Sequence, residues 1–141
     1  MRPNRSIPAA TIIPELAYPD VAEAVGWLCE VFGFRERLRI ANHRAQLAMG
    51  DGAIVVIERP PESPAPRRDL LTHAVLVRIP DVHRHHERAA RLGARILRPP
   101  ADYPYGERQY TAEDFAGHVW TFSETIADSD PASWGGTLVE A

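Results

Sequence analysis

The chain has 141 residues, 45% hydrophobic and 25% charged, with a formal net charge of −3, the make-up of one soluble domain able to bury a core. Its charges are mixed in sign and form no basic stripe, which removes the electrostatic case for a nucleic-acid partner. No apolar run approaches membrane-spanning length, Met1–Ser6 leads into no signal-peptide core, and the single cysteine, Cys29, excludes an internal disulfide, so a cytoplasmic protein without membrane contact is expected.

In chain order, a strand is predicted near 11–18. Asp20 then caps a helix near 20–32, and Glu23 three positions on completes a capping box. Val21, Val25, Leu28 and Phe32 recur at helical spacing, the buried stripe of an amphipathic helix, and Gly33 supplies the left-handed stop. Strands follow near 34–40, 43–49 and 53–59, the last two joined across Gly50-Asp51-Gly52. Residues 60–70 hold four prolines; proline lacks a donor and fixes φ, so this stretch is a linker. The same plan then returns, with a strand near 72–79, a helix near 81–92, and strands near 95–98, 107–113 and 118–124. A tail over 126–141 carries Trp134 and Leu138, which are expected to pack on the domain or on a partner chain.

The two halves repeat each other. Asp20 and Asp81 are 61 positions apart and Gly33 and Gly93 are 60 apart, so the two helices have nearly equal length. The unit is too long for a solenoid repeat. It reads as two βαβββ modules, about 8–59 and 71–125, in an α+β domain covering 1–141. Helices outside, the modules are expected to curve one mixed sheet around a concave cavity. Alternation places Thr11, Ile13, Glu15 and Ala17 on its inner side, with Ala74, Leu76 and Arg78 in the second module.

This arrangement resembles the vicinal oxygen chelate superfamily of glyoxalase I, bleomycin-resistance proteins and extradiol dioxygenases, over roughly residues 10–125. The run from Tyr105-Gly106-Glu107-Arg108 to Asp114-Phe115-Ala116-Gly117-His118-Val119-Trp120 is similar to the Gly-(Glu/Asp)-Arg … Asp-Pro-x-Gly-His-x-Trp signature of the glyoxalase-like branch. Phe115-Ala116 stands where that branch has Pro-x. Metal enzymes of the superfamily place one ligand on each of four strands, seven residues before each helix-cap aspartate and four after each turn glycine. Carried over, those positions are Ile13, Ala74, Val56 and Thr121. Three of these side chains offer a divalent metal nothing, and one hydroxyl is a poor ligand, so no metal and no cofactor is expected.

Other residues are candidates for chemistry. His73 is one position from Ala74, but a one-residue slip turns it to the other face; a half-buried histidine bonded to backbone is expected. His83, His85 and His86 open a helix where only the 83/86 pair converges, and His86 falls on the core edge. Cys29 reads as a buried inert thiol. Glu15 and Glu58, sharing faces with Ile13 and Val56, are candidate general bases, since a carboxylate in an apolar cavity holds its proton more tightly; the alternative is that both lie at solvent-washed strand ends. Arg78 and Arg108 are expected at the rim, suited to an anionic or planar ligand. Ile13, Val56, Leu76, Val119 and Thr121 form the walls, and Tyr103-Pro104-Tyr105 a loop over them.

The leading expectation is a metal-free protein of the bleomycin-resistance type that sequesters a small organic molecule, a drug or metabolite, as a homodimer. The alternatives are a glyoxalase-like lyase, isomerase or dioxygenase, metal-independent with a glutamate base or with a displaced metal site, and a structural module whose cavity is vestigial.

Overall fold

Asp20 begins the first helix because its carboxylate accepts the backbone N–H of Glu23 at 2.9 Å, satisfying a donor the helix leaves unpaired. In the computed structural model, which describes residues 1–139, this helix, α1, runs Val21–Phe32 and stops at Gly33 with φ 83°. It follows β1 (Glu15–Tyr18) and precedes β2 (Arg35–Ile40), β3 (Arg44–Met49) and β4 (Gly52–Glu58). The second half repeats the order with β5 (Val75–Arg78), α2 (Val82–Arg91), β6 (Arg95–Tyr103), β7 (Glu107–Glu113) and β8 (Val119–Thr125). Asp81 caps α2 through the N–H of Arg84 at 3.1 Å. The α+β class and the two βαβββ modules stand as expected. Of the expected tail, Glu140 and Ala141 lie outside the described residues.

Each half builds its own four-stranded mixed sheet, ordered β1-β4-β3-β2 and β5-β8-β7-β6. In each, the first strand runs parallel to the last and the remaining pairs are antiparallel. The sheets are open, with one face covered by the module's helix. The chain divides into two compact units after Pro64, inside the linker. That linker is not wholly irregular: Arg68–Leu70 make one 3-10 turn. No described helix is long and apolar enough to cross a membrane.

The core of the first unit lies between α1 and its sheet. Val21, Ala24, Val25, Leu28, Val31 and Phe32 face Leu16, Ala45, Leu47, Ile54 and Val56, all buried. In the second unit Trp120, Phe122 and Tyr110 are almost fully buried, and burying each apolar ring contributes about 1.5–3 kcal/mol. Here α2 supplies Val82 and Ala89, plus two histidines. His85 Nδ1 lies 2.5 Å from the Tyr110 hydroxyl, its ring 4.2 Å from that of Phe122, and His86 meets Tyr110 edge-on at 5.1 Å. These positions correspond to Ala24 and Val25 of α1, so the histidines are core-edge residues. That matches the expectation for His86; His85 is the fuller participant.

The Asp114–Trp120 signature closes the β7–β8 turn. Asp114, only 3% exposed, accepts the N–H groups of Ala116 and His118 at 3.0 Å each and the Trp120 indole N–H at 3.1 Å. Gly117 has φ 98°, and a Cβ there would stand 2.5 Å from the Pro66 carbonyl oxygen. The run most diagnostic of the family is thus a structural clasp.

Candidate functional site

Register decides which side chains reach the uncovered faces, since paired residues share a face. In the second unit Leu76 pairs with Thr121 and Arg78 with Ser123. Thr111 pairs with Thr121 and Gln109 with Ser123; Arg98 pairs with Thr111 and Tyr103 with Glu107. Leu76 is 58% exposed, whereas Trp120 and Phe122, one residue out of phase, are buried under α2. The open face is therefore short polar side chains between an exposed leucine and arginines. It is not plugged by Trp120 or Phe122.

These polar groups are bonded to one another in three separate sets. The Gln109 amide donates to Ser123 Oγ at 3.0 Å, and that hydroxyl donates to Glu107 Oε1 at 2.7 Å. The Tyr105 hydroxyl donates to Gln109 Oε1 at 3.3 Å. Thr111 and Thr121 hydroxyls lie 3.0 Å apart, and Arg78 donates to Thr125 Oγ1 at 2.9 Å. Tyr105 stacks on Tyr103 with ring centres 5.4 Å apart, and Trp134 from the tail meets Tyr105 edge-on at the same distance. The tail reaches this corner because Ile126 N–H donates to Gly106 O at 2.8 Å. Trp134 thus packs on its own unit, while Leu138 is 71% exposed.

On the first unit's open side lie Glu15, Arg44, Gln46, Val55 and Ile57, joined by register. Glu15 is exposed and ion-paired with Arg44. It lacks the apolar surroundings that its role as a base assumed. Gln46 donates to the carbonyl of Ser6 at 2.8 Å, Arg37 donates to the carbonyl of Arg5 at 2.8 Å, and Arg37 also bonds the Gln46 amide oxygen. The chain's own N-terminal residues therefore occupy Gln46 and Arg37, while Glu15 and Arg44 hold each other. Ile13, just before β1, is half-buried with the phase of Glu15.

The expectations for Val56, Arg108 and His73 need correction, and Glu58 takes the solvent-washed alternative given for it. Val56 pairs with Leu16 and Ala45, is fully buried, and faces α1; Val55 takes the open position. Glu58, on the same side as Tyr18, is exposed at the strand end beside His43 (3.5 Å), in a groove of about 530 Å³ lined also by Pro19, Arg59, Pro60 and Pro61. Arg108 pairs with Glu124 across the ladder, hence on the α2 side, and donates to Asp102 at 2.7 Å. That bond first, and then the positive charge of Arg108, hold the Asp102 carboxyl below its ordinary range, while the same bond and the carboxylate's negative charge raise the guanidinium. Arg108 is a structural ion pair. His73 also differs, being exposed with Nδ1 3.4 Å from Thr72 Oγ1.

Leu76, Arg78, Val119 and Thr121 do share the second unit's open face. Sequence reasoning missed Arg98, Gln109, Thr111 and Ser123 there. The signal for Thr111 and Gln109 was alternation with Tyr110, the buried ring.

The family implies a metal, for which the donors at the corresponding positions are few. Ala74 carries none, Thr121 Oγ1 is engaged with Thr111, and no three His, Cys, Asp or Glu among the described residues come together to hold an ion. The residues do not fit one. Cys29 is half-buried in α1, and burial first, then the Glu36 carboxylate, pushes its thiol up, which leaves little thiolate for nucleophilic work.

With an α+β duplication and an Asp114–Trp120 clasp in place, the family follows. Residues 10–122 match the Glyoxalase/Bleomycin resistance protein/Dioxygenase superfamily, and the chain belongs to it. The fold is similar to TioX from Micromonospora sp. ML1 (35% identity, 86% of this chain and 100% of that one, TM-score 0.68). It is also similar to the fosfomycin resistance protein FosX from Listeria monocytogenes (18%, 82% and 93%, TM-score 0.65) and to lactoylglutathione lyase from Agrobacterium tumefaciens (18%, 90% and 98%, TM-score 0.59). At 18% identity the latter two share the fold alone. No curated protein sequence matches the chain.

Proposed function

We propose that the protein binds and sequesters a small, partly apolar organic molecule on the open face of its second unit, without a metal and without bond chemistry. The observation that supports this most is the replacement of ligating side chains by Ala74 and Thr121 on a face that still presents an exposed leucine, hydroxyls and an aromatic corner. A pocket of this type holds a ligand by apolar contact, with a few polar groups fixing its orientation. Leu76, Val119 and Thr121 form its floor, Arg78 one edge, and Tyr103, Tyr105 and Trp134 a corner on which a ring stacks. The protein acts as a homodimer in this reading, since Trp134 (44% exposed) and Leu138 leave apolar surface at the tail.

Native mass spectrometry of freshly purified protein, with elemental analysis in parallel, tests the reading. A co-purified organic mass and no stoichiometric metal are expected. Stoichiometric zinc, nickel, iron or manganese with chelator-sensitive turnover would overturn it. Light scattering should report twice the chain mass.

An enzymatic reading is favoured by one observation, the half-buried Glu107 carboxylate on the same face, hydrogen-bonded by Ser123. If turnover of a bound ligand is found, Glu107, rather than Glu15 or Glu58, is the base, and Glu107→Gln abolishes it.

A further inference from the structure

One row of the second unit's open face crosses all four strands as Arg98, Thr111, Thr121 and Leu76. Every polar group in it is a hydrogen-bond donor or has a proton to spare. Two threonine hydroxyls carry two protons, and the 3.0 Å bond between them uses one. The other is free to donate. Arg98 is exposed, stands directly across the ladder from Thr111, and has no ion-pair partner among the described residues. Opposed residues on one face bring their side chains within about 5 Å at the base, so Arg98 and the hydroxyl pair are neighbours in this row.

Of the other arginines on this face, Arg95 lies across from Glu113, whose carboxylate is 3.1 Å from Arg68, and Arg78 is bonded to Thr125 on the neighbouring strand. The acid on the network, Glu107, accepts from Ser123 and lies beyond the Gln109 row. No carboxylate stands in the Arg98 row itself. At its other end Leu76 is exposed, three strand spacings or about 14 Å away.

Resting on the small-molecule reading above, we propose that this row selects amphiphilic organic anions. Arg98 takes the anionic group with the free Thr111–Thr121 proton beside it, and the apolar body lies toward Leu76. A planar guanidinium fork suits a carboxylate better than an ammonium does, and an unsatisfied arginine beside a donating hydroxyl repels cations and holds a charged carboxylate more strongly than a neutral amide oxygen.

The probes are 2-naphthoate, neutral 2-naphthamide and the 2-naphthylmethylammonium cation, titrated into the full-length protein by calorimetry. The native protein should bind naphthoate at least about tenfold more tightly than naphthamide, a difference of about 1.4 kcal/mol, and the cation weakest. Arg98→Gln should erase that preference with no change in melting temperature, Arg98→Lys should keep part of it, and Thr121→Val should reduce it. Equal binding of naphthoate and naphthamide, or a preference that survives Arg98→Gln, overturns the anion assignment and leaves the small-molecule reading standing. Failure of all three naphthyl compounds to bind, with no organic mass co-purifying, overturns both.

Discussion

Asp114 and Trp120 are joined by a buried carboxylate-to-indole hydrogen bond of 3.1 Å, and the same carboxylate holds two backbone N–H groups of the intervening turn. Bonds to a charged acceptor are worth more than neutral ones, and removing the acceptor strands several buried donors. Asp114→Ala should therefore destabilise the protein by about 3 kcal/mol or more, read by urea denaturation. A loss below about 1 kcal/mol, the worth of a single neutral bond, would show the clasp to be decorative.

Gly117 tests the same turn from the backbone. Its φ of 98°, and a Pro66 carbonyl oxygen 2.5 Å from where an added methyl would stand, predict a cost above about 2 kcal/mol for Gly117→Ala. Gly50, with φ 58° and nothing within 4 Å of its Cβ direction, should cost about 1 kcal/mol when changed to Ala. Equal losses at the two sites would remove the close approach as a cause.

Burial pushes the Tyr110 phenol well above its ordinary value. The folded state then holds that proton more tightly than the unfolded chain, so its contribution is complete below the unfolded pKa of about 10 and fades as pH rises beyond it. Melting temperature should fall more steeply above that pH in the native protein than in Tyr110→Phe. Parallel alkaline profiles would assign the loss to other groups.

Leu76 separates binding from folding. With its side chain exposed, Leu76→Ala should change stability by no more than about 0.5 kcal/mol while weakening binding of a naphthoate-like ligand by about 1 kcal/mol, roughly fivefold in Kd. A large stability loss with unchanged affinity would place Leu76 in the core instead.

The caps, the glycine stops and the duplication are legible in the sequence because they depend on local chemistry, as at Asp20, Gly33 and Asp81. The face of β5 is legible too, since Val75, Val77 and Ile79 alternate with Leu76 and Arg78. Val56 falls on the wrong side when its phase is counted from Gly52. That residue already pairs with Met49 as the first of β4, and a shift of one residue reverses every side chain. Arg108 attracts a binding role by its charge, whereas its face is set by the pairing of Tyr110 with Phe122, a long-range fact. Arg98 escapes notice because Pro99-Pro100 reads as a strand end. The structure instead carries β6 on to Tyr103 through an irregularity between Arg98 and Ala101, which an edge strand tolerates.

Those two prolines have a consequence for crowding. β6 is one of the two outer strands of its sheet, and an outer strand is ordinarily a template on which a foreign or sister chain adds itself by backbone pairing. Pro99 and Pro100 interrupt the row of N–H groups at adjacent positions, so an incoming strand finds no continuous ladder there. In the other sheet β2, also an outer strand, carries Arg35, Glu36, Arg37 and Arg39, which discourages the same event by charge. These two outer strands are thereby guarded against amyloid-like growth, and substituting Pro99 and Pro100 together with β-branched residues would open one of them.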